Sequence, residues 1–267
     1  MIPKSGHRFS EKIMRQEKMR SQVAGFEASP HSPGCEPELG DLRFRALMSE
    51  AEWAALPLAI RRRFSKRLSG GRTAVYVGEV IETQMSRAGW WLAQAARLIG
   101  GPLPVSRDTR VPSVVTVTED VAARGQHWTR LYARRRGFPH IVHSSKRFAG
   151  PTGLEEYVAY GVGMALTMQV EVHVPENACP GLDPGWEPVF RKGHAPKQEC
   201  ALVFRAAHYF LQLGRWRLRL PAWATPGALA VTHAELGDGR FLFRLDITHP
   251  RLGRLICQTA AFQEAQP

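Results

Sequence analysis

Cysteine is scarce in this chain: Cys35, Cys179, Cys200 and Cys257 are the only four in 267 residues. No two have the short spacing of a zinc knuckle or a redox dithiol, and four in a chain this long make no disulfide framework. A reducing compartment is the expectation. Long apolar runs are lacking too: none approaches the ~18 residues of a membrane helix. Met1–Arg20 is charged throughout and has no apolar stretch like that of a secretory signal. The chain therefore reads as cytoplasmic, without a transmembrane segment. Acid is in short supply, with 24 Asp and Glu against 36 Lys and Arg, for a net charge of +12. Nucleic acid or an anionic membrane surface is the sharp reading of such an excess. The basic residues are scattered over several segments and form no long tail. That favours solvated faces and argues against a nucleic-acid partner.

The usual catalytic signatures are also missing. There is no P-loop, no HExxH, and no strand–GxGxxG–helix unit. Gly161-x-Gly163 sits inside a β-like run with no helix start behind it, so it fails the context test for a dinucleotide site. His140 and His143 are three apart, which on a strand puts them on opposite faces and argues against a metal pair. Ser144 and Ser145 lie beside His143, but no glycine-flanked elbow surrounds them and no carboxylate is local. No catalytic residue, cofactor site or metal site follows from the sequence.

What the sequence does have is a period of two. In Phe241–Ile247, Phe241, Phe243, Leu245 and Ile247 alternate with Leu242, Arg244 and Asp246. Glu156–Val174 alternates for longer, which predicts one bent strand or a pair broken at Gly161–Gly163. Arg215–Leu220 alternates as well, predicting Trp216, Leu218 and Leu220 buried with Arg215, Arg217 and Arg219 exposed. Gly237-Asp238-Gly239 supplies the backbone of a tight hairpin turn. Two segments read as helical. Leu42–Leu68 carries Ile60, Phe64 and Leu68 on one face, with a second helix starting at Pro57. Ala88–Ile99 is apolar nearly all round, which predicts a buried helix. Met1–Asp41, rich in Pro, Ser and charge, reads as a poorly ordered extension. Residues 42–267 read as one domain, interrupted by a loop at 175–199.

Several stretches together resemble a known family. They are Gly71-Arg72-Thr73-Ala74-Val75-Tyr76-Val77-Gly78, His143-Ser144-Ser145-Lys146-Arg147-Phe148, Gly161-Val162-Gly163-Met164, Tyr209-Phe210 and Leu236-Gly237-Asp238-Gly239-Arg240-Phe241. They are similar to the bacterial domain of unknown function 4166, from about Phe44 to Phe262. Members of that family stand alone or are fused to the C-terminus of a saccharopine-dehydrogenase-like oxidoreductase. The resemblance therefore implies such an oxidoreductase as a partner. It implies no activity and no site. Residues 175–199 look like an insertion in the family pattern.

The expected fold is α+β: a strongly curved antiparallel sheet or half-open barrel packed on N-terminal helices, with a helix-grip, lipid-transfer-like fold as the alternative. A polar set stands out on otherwise apolar strands: Arg130, Tyr132, His143, Lys146 and Arg147, with Glu79 upstream. Arg130, Tyr132, His143 and Lys146 are the expected ligand-binding residues. A bulge at Ser144-Ser145 would bring His143 and Lys146 to one face. The apolar lining would come from Trp90, Trp128, Met164 and Phe210. Three roles stay open: a non-catalytic binding module for an apolar or amphipathic small molecule, an accessory domain of the oxidoreductase, and an enzyme with an unrecognised site.

Overall fold

In the computed structural model, residues 40–100, 102–158, 161–173 and 199–265 are described. Eleven strands form one antiparallel sheet, and ten of them close into a barrel. They are β1 (Thr73–Met85), β2 (Val111–Asp120), β3 (Gly125–Tyr132), β4 (His140–Arg147), β5 (Leu154–Tyr157), β6 (Val162–His173), β7 (Glu199–Leu213), β8 (Trp216–Arg219), β9 (Ala228–Gly237), β10 (Arg240–His249) and β11 (Gly253–Glu264). Hydrogen-bonded order around the ring is β6-β5-β4-β3-β2-β1-β11-β10-β9-β7, and β7 returns to β6. β8 lies outside the ring and continues the β9 edge of β7. Three short helices accompany the sheet: α1 (Glu50–Ala55), α2 (Leu58–Phe64) and α3 (Arg87–Ala96).

The architecture corrects two expectations. The barrel is closed, not half-open, and it is mostly β with few helices. Closure comes from the pairing of β1 with β11, the first strand and the last. A closed ring leaves no row of unpaired backbone groups, which an open sheet of this length would expose. The helix-grip alternative fails as well, because the longest helix among the described residues, α3, has only ten residues.

Of the helices, α1 and α2 plug one end of the ring. Ser49 opens α1 with a capping box: Glu52 N–H donates to Ser49 Oγ, and Ser49 N–H to Glu52 Oε2. Pro57 precedes α2, and Ile60, Phe64 and Leu68 are all buried, as their spacing predicts. Phe44, wholly buried, meets Phe64 edge-on at 5.2 Å between centroids. Asp41, the last residue of the expected extension, is buried and accepts hydrogen bonds from Arg43. The rest of that extension and most of the expected 175–199 loop lie outside the described residues.

Three local readings meet the structure differently. The Glu156–Val174 alternation divides into β5 and β6, joined through Gly161, whose φ of +76° only glycine adopts freely. Trp216 and Leu218 are exposed, which overturns their expected burial. β8 is an outer strand exposed throughout, so Arg215, Arg217 and Arg219 are exposed as expected; the Arg217 guanidinium lies 3.7 Å over the Phe210 ring and pairs with the buried Glu155 at 2.6 Å. The Ala88–Ile99 helix is not buried all round. It packs through Gly89, Ala93 and Ala96, while Trp90, Trp91 and Leu98 face out. A Cβ on Gly89 would sit 2.0 Å from the Leu255 carbonyl oxygen, so the helix can lie this close only on its smallest residues.

Candidate functional site

The barrel interior holds a charged cluster. Alternation along β3 points Gln126, Trp128, Arg130 and Tyr132 to one side. β4 pairs with β3 residue for residue, so Val142, Ser144 and Lys146 share that side. Lys146 stands directly opposite Glu156 on β5, and their side chains meet at 2.7 Å. Arg130 approaches the same carboxylate at 3.5 Å. All three side chains are almost wholly withdrawn from solvent. Trp128 forms one wall, 5.1 Å from the Lys146 ammonium, and its indole N–H donates to Gln126 Oε1 at 3.2 Å.

Burial alone would push the Glu156 carboxyl up. Lys146 and Arg130 outweigh it and hold the carboxyl at about 2, so Glu156 is ionised at neutral pH. Burial pushes the Lys146 ammonium down, Arg130 adds to this, and Glu156 opposes it. Next to this group, α2 sends Arg63 onto the Phe241 ring at 3.5 Å, with Glu235 of β9 3.6 Å away. Burial raises the Tyr76 hydroxyl to about 12, against the pull of Arg63. His233 is buried among Phe64, Phe204 and Phe243. Burial, followed by repulsion from Arg63, Lys146 and Arg130, keeps its ring neutral. Arg63 Nη1 and His233 Nδ1 have no hydrogen-bond partner among the described residues.

The lumen thus gathers three cations, Arg63, Arg130 and Lys146, against two carboxylates, Glu156 and Glu235. Its walls are aromatic: Tyr76, Trp128, Phe241, Phe243 and Phe262. The free space among them is about 10 Å³, room for one water. Past Tyr132 lies a second small space, bounded by Val105, Ser106 and His140. Past Val105 and Ser106 an open groove of about 460 Å³ runs beneath α3, between Arg87, Trp90, Trp91 and Arg107.

Of the four expected binding residues, Arg130, Tyr132 and Lys146 come together in the lumen. His143 does not. The β3–β4 register runs through Ser144 and Ser145 without a shift, so the expected bulge is not formed. His143 faces out and shares a hydrogen bond with Thr129 Oγ1 at 3.0 Å. That separation also excludes a Ser144–His143 pair. Arg147 lies outside against the Tyr157 ring, and Glu79 is exposed. The expected lining is dispersed: Trp128 and Met164 belong to the core, Trp90 borders the groove, and Phe210 packs with Tyr157 and Arg217. Sequence reading missed Arg63, Glu156, His233 and Glu235. Only Glu156 carried a local signal, as an acid beginning a long apolar alternation. Among the described residues, no group of three or more His, Cys, Asp or Glu is placed to hold a metal ion.

A closed antiparallel barrel with a basic, aromatic-walled lumen is the class that fold and site define. The chain belongs to the family described as domain of unknown function (DUF4166), which it matches over residues 56–178 and 193–262. The unmatched stretch between them falls within the expected insertion. No curated protein and no solved structure matches the chain. No helix among the described residues is long and apolar enough to cross a membrane.

Proposed function

We propose that this barrel is a non-catalytic binding module for an amphipathic small molecule with an anionic end. The observation that carries the reading is the charge of the lumen: three buried cations around two carboxylates, with unpartnered nitrogens on Arg63 and His233. A buried cation without a full set of partners is costly, and an incoming carboxylate or phosphate would offset that cost. Arg130 and Arg63 suit such a group because a guanidinium can bind two oxygens at once. The lumen has no room for an apolar body, but the groove under α3 falls within the size range of small-molecule sites. Tyr132 separates the lumen from the second space, and Val105 and Ser106 separate that space from the groove. A bound molecule would displace these residues to put its polar end on Arg130 and its body under Trp90 and Trp91. The sparse cysteines are our reason for expecting this to happen in the cytoplasm.

Native mass spectrometry of the full chain tests the reading. A co-purified acidic molecule should be retained by the wild type and lost from Arg130→Ala. That variant keeps the Lys146–Glu156 pair and should remain folded by circular dichroism. Full retention by folded Arg130→Ala would overturn the assignment.

A further inference from the structure

The strand registers sort the connections of the barrel into two ends. Ser86–Arg110, Ala133–Pro139, Gly214–Gly227 and His249–Gly253 all emerge at the end away from α1 and α2. Two independent properties coincide there. Among the described residues, ten of the fourteen exposed large hydrophobic residues lie at this end, including Trp91, Leu98, Phe138, Trp216, Trp223 and Leu252. Phe138 is 90%, Trp223 83% and Leu98 81% exposed. The same four connections carry eleven arginines, no lysine and a single acid, Asp108. Part of this charge is already used: Arg217 pairs with Glu155, and Arg107 donates to the Met85 carbonyl. The connections themselves still hold only Asp108 against the remainder.

We propose that this rim docks on the surface of an anionic lipid bilayer. Charge complementarity selects that occupant, since the basic excess of the rim matches a uniformly negative plane. The placement of the apolar residues supports it. They sit on α3, on β8 and on loops at one end and are exposed to solvent, so a planar soft phase can reach them. Trp belongs at a membrane–water interface, and Leu98 and Leu252 reach where hydrocarbon, not a base, would receive them. α3 fits the same reading, because it turns its smallest residues to the barrel and its indoles out. The proposal does not depend on the lumen having a ligand.

Flotation of the full chain with phosphatidylcholine vesicles, with and without phosphatidylserine, tests it. Binding should require phosphatidylserine and disappear at high salt, because screening removes the arginine contribution. Tryptophan emission should shift to the blue on binding. The triple variant Trp91→Ser, Phe138→Ser, Trp223→Ser should lose roughly tenfold or more in partitioning while keeping its melting temperature, since all three side chains are exposed. Four outcomes would overturn the proposal: no flotation, flotation indifferent to phosphatidylserine, unchanged partitioning of the triple variant, or a wild-type dimer whose tryptophans are already shielded without lipid. Binding to duplex RNA that the triple variant loses, with no vesicle binding, would assign the rim to nucleic acid instead.

Discussion

The two ends of this barrel use the same residue types in opposite ways. At the helical end, Phe44, Trp53, Ile60 and Phe64 turn inward and are buried. Several cations there have acidic partners close in the chain or across the ring: Arg43 with Asp41, Arg45 with Glu50, and Lys66 with Glu264. At the α3 rim the aromatic residues are exposed, and the connections that carry eleven arginines carry one acid, Asp108. An apolar helix is therefore not by itself a core helix. What separates α2 from α3 is which of their residues the barrel can admit. α2 offers Phe64 to a space between Trp128 and Phe204, whereas α3 lies on a strand carbonyl that leaves room only for Gly89.

Stability measurements can break this comparison, and the largest effect should come from the helical end. Phe64 contacts Phe44, Trp128, Phe204 and His233, so Phe64→Ala leaves a cavity that four rigid rings cannot refill. A loss of about 3–5 kcal/mol is expected in urea unfolding. A loss below about 1 kcal/mol would mean that the helices do not plug the ring as described.

The next effect is a pH dependence that belongs to the lumen. The folded pKa of Glu156, about 2, lies below its ordinary value of 4.5. The unfolded state therefore binds the proton first as pH falls. The ion pair contributes its stability above about pH 4.5 and loses it as pH drops through the folded value. The span is worth roughly 3 kcal/mol as an order of magnitude. Unfolding free energies measured between pH 6 and 2 should fall accordingly. The double variant Lys146→Met, Glu156→Leu should flatten that fall, although it leaves the buried Arg130 without its carboxylate and so lowers stability at every pH. An equally steep fall in the double variant would place the acid sensitivity elsewhere.

These contrasts also mark what the sequence could and could not disclose. Period two is a local signal, so most strands and the shared face of Arg130 and Tyr132 were legible. The face of Lys146 was legible too, once β4 was taken as the neighbour of β3. Ring closure was not, because β1 and β11 lie at opposite ends of the domain and neither bears a mark of the other. In β8 the alternation did not sort burial, because the strand lies outside the ring and is exposed along its whole length; the arginines are exposed as expected, and so are Trp216 and Leu218. His143 was drawn inward on an assumed bulge that the regular register does not contain. Arg63 lies off the face shared by Ile60, Phe64 and Leu68, and only the tertiary fold puts it in the lumen. The basic residues looked scattered along the chain, and the registers gather many of them at one rim.

The smallest effect should come from that rim, and its smallness makes it informative. Trp223 sits in a 3-10 turn, Ala222–Ala224, between β8 and β9. The turn is held by backbone and threonine contacts: Thr225 N–H and Oγ1–H both donate to the Ala222 carbonyl. Neither bond involves the indole. At 83% exposure the ring has little contact area to lose, and its removal opens no cavity. Trp223→Ala should therefore change unfolding free energy by no more than about 0.5 kcal/mol. Phe64→Ala removes a similar side chain and should cost several times more. The ratio of the two measures how far this chain separates aromatic residues that build the fold from those it holds out to solvent. A cost for Trp223→Ala above about 1 kcal/mol would mean that the ring is covered in solution. A cost that also grows with protein concentration would identify a second copy of the chain as the cover. In that case the two ends would differ in what they bury against, and the rim would no longer be free to meet a membrane.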